Sequence, residues 1–113
     1  TFTGLTLDSD QGAMWRCVLE GIGYDYMEIT DRYRKAGIDL TQLTITEGGS
    51  RDELWNQIKA DALKIPVRVV AENEMTVLGA ALYGFCGLGY FPSPEAASAA
   101  VQYDYQIFNP TPA

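Results

Sequence analysis

Two adjacent glycines and a serine, Gly48-Gly49-Ser50, stand between a β-branched run and a segment of helical character. The chemistry open to such a bend is ligand binding through the backbone. A helix N-terminus presents unpaired amide donors and a partial positive charge. Glycine lets a ligand approach the chain without interference from a Cβ and admits positive φ. Gly48, Gly49 and Ser50 are therefore candidates to hold the ribose or phosphate of a nucleotide. Taken alone they fit a plain strand-to-helix connection better, because Gly-Gly-Ser turns are common. Ser50-Arg51-Asp52-Glu53 has the spacing of a capping box, which predicts a helix from Arg51 with Glu53 occupied at the Ser50 amide. Arg51 fits a solvated surface cation better than a phosphate ligand.

Other reactive groups are scarce. Histidine is absent, which excludes His-based catalysis, metal binding and pH switching within the chain. Cys17 and Cys86 sit far apart in apolar settings and are expected to be reduced core thiols, too few for a metal site. Glu20 is expected to pair with Arg16. Trp15, Trp55 and the tyrosines are expected mostly in the core, with Trp55 beside Leu54 and Ile58. No residue stands out as catalytic or metal-ligating. The net charge of −7, from 15 acids and 8 bases, opposes nucleic-acid or anionic-lipid partners but not a nucleotide held by amides. The most apolar stretch, Val77 to Phe91, is broken by Gly79, Gly84, Gly87 and Gly89 and is too short to span a bilayer. No signal peptide is visible, so a cytoplasmic protein is expected.

Around the bend, helix and strand patterns alternate. Residues 1–7 suit a short strand or an extended loop. From Gln11 to Lys35 the pattern is helical, with Asp8-Ser9-Asp10 as caps and Gly37 as the C-cap. Met14, Val18, Ile22 and Ile29 share one face, and Arg16–Glu20, Glu28–Arg32 and Asp31–Lys35 are i,i+4 pairs of opposite charge. Leu40 to Thr46 suits a strand. The helix after the bend should bury Leu54, Trp55, Ile58 and Ala62. Pro66 to Val70 is a second strand, Glu72 or Asn73 opens a third helix to about Phe85, and Ser93 to Gln102 is a short helix. The tail after Tyr103 is expected to be irregular. This order points to an α/β fold with parallel strands. Two strands make no stable parallel sheet, so an incomplete sheet is expected, with further strands supplied from upstream.

The run Thr46 to Asp61 resembles the C-terminal signature of the FGGY carbohydrate kinases, a glycine-rich turn followed by Leu-Trp-x-Gln-x-x-Ala-Asp, here Leu54, Trp55, Gln57, Ala60 and Asp61. The resemblance continues through Ile65-Pro66-Val67 and Glu74 to Ala81. Gly4-Leu5-Thr6-Leu7, Val18-Leu19-Glu20-Gly21 and Gly87-Leu88-Gly89-Tyr90-Phe91 are similar to further landmarks, in the same order. Nearly the whole chain is covered, in the manner of a xylulokinase-like member.

The resemblance implies the C-terminal part of an actin-like, ribonuclease-H-like ATPase domain, with residues 1–113 as a portion of its nucleotide-binding domain. It implies that Gly48, Gly49 and Ser50 line the adenosine side of an ATP cleft, and that Glu53 approaches the adenine. ATP, Mg²⁺ and a sugar or polyol are the implied partners, the metal and the sugar being held with a missing lobe. The family's catalytic Asp has no match here, so the segment alone is expected to be inactive. Asp8 to Ala13 departs from a loop that carries His and Arg in many relatives, and Cys17 replaces a small residue. The competing reading is a non-catalytic assembly module that retains the scaffold and pairs, with a partner or as a homodimer, through an uncovered sheet edge. An actin- or chaperone-like ATPase is a further alternative.

Overall fold

The computed structural model describes residues 1–46, 48–71 and 74–112. Residues 1–10 form no strand and lie mostly exposed. Helix α1, Gln11–Lys35, opens on Asp10, whose carboxylate accepts the Ala13 amide at 2.7 Å. Its cap residue at the other end is Ala36, with Gly37 one position further on at φ +82°. The Gly37 amide bonds to Arg34 O and the Ile38 amide to Tyr33 O, both at 3.0 Å, which closes a Schellman motif. Arg16–Glu20 and Glu28–Arg32 pair as expected, whereas Asp31 pairs with Arg34 rather than Lys35.

The buried face of α1 is not the apolar stripe. Val18, Ile22 and Ile29 are exposed, while Leu19, Gly23 and Thr30 are buried. Close approach decides this. A Cβ at Gly23 would lie 3.4 Å from Ile58 Cγ2 and 3.7 Å from Ala62 Cβ, so the glycine is where α2, Glu53–Leu63, comes nearest. At its far end α1 also ties to α2, because Arg34 Nη2 donates to Leu63 O at 3.2 Å. That carbonyl belongs to the last turn of α2, where helices leave acceptors unused.

Among the described residues three short strands make one sheet in the order β1-β2-β3. β1, Leu43–Ile45, runs parallel to β2, Val67–Val70, with Leu43 opposite Val67 and Ile45 opposite Val69. β3, Tyr105–Phe108, runs antiparallel to β2, with Phe108 opposite Val67 and Tyr105 opposite Val70. The tail is thus a strand rather than irregular, and the sheet is mixed rather than wholly parallel. Alternation along the strands brings Leu43, Ile45, Val67, Val69 and Phe108 against Ala60 of α2 to form the core. The opposite face carries Arg68, which donates to Thr44 Oγ1 at 3.2 Å and lies 4.1 Å from the Tyr105 ring.

Helix α3, Met75–Gly87, and helix α4, Pro94–Ala99, pack on each other. The expected start of α3 at Glu72 or Asn73 falls outside the described residues. α3 is apolar yet has no buried residue. The molecule is accordingly long, 62 × 33 × 27 Å, with a radius of gyration of 18.0 Å against about 13 Å for a compact chain of this length. Its accessible surface is 8075 Å², where a compact monomer of this size exposes about 6100 Å². Cys17 is exposed and Cys86 half-buried, so the two free thiols are not core residues.

Candidate functional site

β1 leads into a single turn of 3₁₀ helix, Gly48–Ser50, and the chain then bends through Arg51 into α2. Of the two residues between, Thr46 and Glu47, the second lies outside the described ones. The helix cap is Asp52, whose Oδ1 accepts the Trp55 amide at 3.0 Å. The expected capping box at Ser50 is therefore not the start of α2, which begins at Glu53. Two cap-forming residues lie within three positions, and the 3₁₀ turn takes the first of them.

Gly48, Gly49 and Ser50 are contiguous at the head of α2, and Glu53 follows in its first turn. Gly48 is exposed, and an added Cβ would meet nothing within 4 Å. Gly49 differs: its missing side chain faces Trp55, with Cζ3 3.1 Å from a built Cβ. Neither glycine uses a positive φ. Ser50 is buried. Glu53 is exposed, with Oε1 3.5 Å from Gln106 Nε2 of β3.

Beneath the turn are two buried polar residues that the sequence did not single out, Asn56 and Lys59, 1% and 2% exposed. Asn56 Nδ2 donates to Ser50 O at 2.7 Å, and Lys59 Nζ donates to Gly49 O at 3.1 Å. Nζ also sits 3.5 Å from Asn56 Oδ1 and 3.9 Å from the centre of the Trp55 ring. Burial pulls the Lys59 ammonium below the usual lysine range, and the charge of Asp52 opposes that shift. Trp55 is half-buried against the turn, and its Nε1 has no hydrogen-bond partner among the described residues. Leu54, expected inside, is exposed. The signal that was available is spacing: Asn56 and Lys59 are i,i+3, on one helix face, and near enough to the bend to reach back to it.

Gln57 and Asp61 do something else. Gln57 Nε2 donates to Asn109 O at 2.8 Å and to Asp61 Oδ1 at 3.0 Å, while Asp61 Oδ1 also accepts the Thr111 amide at 2.7 Å. They clasp the tail that carries β3. Among the described residues no group of three or more Cys, Asp or Glu side chains is placed to hold a metal ion. No helix there is long and apolar enough to cross a membrane.

A strand, a glycine turn and a helix beside a mixed open sheet are the architecture of the C-terminal part of an actin-like, ribonuclease-H-like ATPase domain. The xylulose kinase of Rhodospirillum rubrum superposes with a TM-score of 0.77 at 28% identity, over 99% of this chain and 23% of that one. The C-terminal domain of the FGGY family of carbohydrate kinases matches residues 1–88, and the chain belongs to that family. L-fuculokinases of Salmonella typhi and Escherichia coli K12 are each 44% identical to it over 108 residues, 95% of this chain. The chain spans 23% of the length of these relatives.

Proposed function

We propose that this chain is the adenosine-side segment of a kinase that transfers the γ-phosphate of ATP to a hydroxyl of a sugar, with L-fuculose the preferred acceptor. The observation that carries the reading is the turn at the head of α2. Among the described residues, chain neighbours apart, nothing lies within 4 Å of a Cβ built on Gly48, while the carbonyls of Gly49 and Ser50 are held from below by Lys59 and Asn56. A ligand can thus meet backbone there without displacing side chains. The choice of L-fuculose is supported by the 44% identity to proteins named L-fuculokinase, against 35% to a glycerol kinase of Nitratidesulfovibrio vulgaris and 27% to a xylulose kinase of Staphylococcus epidermidis.

Phosphoryl transfer of this kind is mostly positioning and charge stabilisation, with Mg²⁺ on the phosphates and an Asp to orient the attacking hydroxyl. In this reading both are supplied by polypeptide outside the segment, and Gly48, Gly49, Ser50 and Glu53 contribute to the nucleotide alone. The surplus of about 2000 Å² over a compact monomer supports such an arrangement. It resides in apolar groups such as Val18, Ile22 and Ile29 of α1 and Val77, Tyr83 and Phe85 of α3, as expected of helices that pack within a larger body.

The test is ADP formation by the intact polypeptide that carries this chain, with Mg-ATP and L-fuculose, D-xylulose or glycerol in turn. ADP should form only with an acceptor, and kcat/KM should be highest with L-fuculose. Equal ADP formation with and without any acceptor would overturn the kinase reading. A preference for another acceptor would overturn the choice of sugar only.

A further inference from the structure

We propose, on the basis of the nucleotide reading above, that Asn56 and Lys59 are positioning residues for ATP: they fix the peptide planes of the turn that receives it. Buried lysine is rare unless paired, yet among the described residues no carboxylate lies within salt-bridge distance of Lys59. Its ammonium is spent on the Gly49 carbonyl, the Asn56 amide oxygen and the Trp55 ring. An apolar side chain of similar volume would fill the space at a smaller desolvation cost. What the ammonium adds is a directed bond to one carbonyl, and Asn56 adds the same at the next.

Those two bonds have a geometric consequence. Among the described residues no peptide bond is cis, and in a trans peptide the C=O and N–H point in opposite directions. Anchoring Gly49 O toward Lys59 therefore turns the Ser50 amide away from the buried side. Anchoring Ser50 O toward Asn56 does the same for the Arg51 amide, which approaches Gly48 O at 3.4 Å. Glycine backbone loses more freedom on ordering than any other, so a two-glycine turn holds one shape only if something outside it supplies the constraint. Here the constraint comes from α2, one and two turns below. The Trp55 indole touches both residues, with Cζ3 3.1 Å from a built Gly49 Cβ and the ring centre 3.9 Å from Lys59 Nζ.

The variants are Lys59→Met, which keeps the stem and removes the ammonium, Lys59→Arg, which restores a cationic donor, and Asn56→Leu, which removes the other donor at similar volume. They are made in the intact kinase polypeptide. Lys59→Met and Asn56→Leu should each raise the KM for ATP about tenfold, the effect of one lost hydrogen bond from a charged or buried donor. The KM for the acceptor sugar and kcat should stay near the parent values, and Lys59→Arg should recover most of the loss. An unchanged KM for ATP in either folded variant overturns the proposal, as does a parallel rise in both KM values with a lowered melting temperature. If Lys59→Met does not fold, Asn56→Leu decides. Amide exchange in the parent protein tests the underlying site separately. Absence of ATP protection over residues 48–51 removes the nucleotide from the turn, whereas protection with unaltered variant KM removes only the positioning role.

Discussion

Valine substitutions at Gly48 and Gly49 should have opposite consequences although the residues are adjacent. At Gly49 the first added atom lies 3.1 Å from Trp55 Cζ3 and 3.6 Å from Cη2. Movement of the ring would also disturb its contact with Lys59, whose Nζ lies 3.9 Å from its centre and is bonded to the Gly49 carbonyl. Two γ-methyls beyond that Cβ make the overlap worse. Overpacking of this kind costs about 1–3 kcal/mol, which lowers a urea midpoint by roughly 0.5–1.5 M at an m-value near 2 kcal/mol/M. At Gly48 nothing lies within 4 Å and φ is not positive, so Gly48→Val should stay within about 0.5 kcal/mol of the parent. Equilibrium unfolding followed by circular dichroism measures both. A double-mutant cycle identifies the cause: with Trp55→Leu in place, the Gly49 penalty should largely vanish. Equal midpoints for the two valine variants, or a penalty that survives Trp55→Leu, would refute the indole contact. Activity then separates binding from folding. Gly48→Val should raise the KM for ATP at an unshifted midpoint, and an unaltered KM removes Gly48 from the site.

Other expectations come from backbone strain, titration and packing. Lys64 caps α2 at φ +56°, a left-handed conformation that costs a side chain about 1 kcal/mol, so Lys64→Gly should raise the unfolding midpoint; a lower midpoint would contradict the strain. The Asp61 carboxyl is held below its ordinary value of 3.8, chiefly by the Thr111 backbone N–H with Gln57 adding to it, against a smaller opposing effect of burial. A depressed folded pKa means the stabilisation is complete above the unfolded value and lost as pH falls through the folded one, so the Thr111 amide resonance should titrate with a midpoint under 3.8, and a midpoint above it would show the clasp to be absent in solution. Gly23→Leu should part α1 from α2 at a cost of about 1–3 kcal/mol by overpacking, read as a lowered midpoint, and no loss would mean the helices do not meet at Gly23.

Where local chemistry decides, the sequence is legible. α1 has the expected bounds because Asp10, Gly37 and two of the three charge pairs act within a few residues of one another. Where partners are distant, it is not. Tyr105–Phe108 becomes a strand by pairing with β2, some 35 residues earlier, and the tail's prolines masked the alternation of Tyr103, Tyr105 and Ile107. The start of α2 was misplaced because Ser50 and Asp52 are both good caps. What separates them is Asn56, six residues on, which takes the Ser50 carbonyl into the turn. The buried side of α2 was misjudged for the same reason: Asn56 and Lys59 count as surface residues until the turn folds back over them. The glycine turn itself was visible, but its two supports were not.

The signature run from Leu54 to Asp61 acquires a physical sense from how α2 divides its faces. Asn56 and Lys59 hold the turn. Ala60 meets Val67 and Val69 in the core. Ile58, with Ala62 just past the run, receives Gly23 of α1. Gln57 and Asp61 clasp residues 109 and 111. At 3.6 residues per turn, eight consecutive positions suffice to address four neighbours, and few can change without loosening one of them. Two of the motif's polar residues therefore serve the tail rather than a ligand, and their effect on the site is indirect. The clasp keeps β3 beside β2, β2 fixes the register of β1, and β1 delivers the chain to Gly48. Loss of the clasp should thus weaken ATP binding only as far as it loosens the sheet, whereas loss of the Lys59 bond acts on the turn directly. That difference separates Gln57 and Asp61, fixed positions of the signature, from Lys59, which fills one of its open positions.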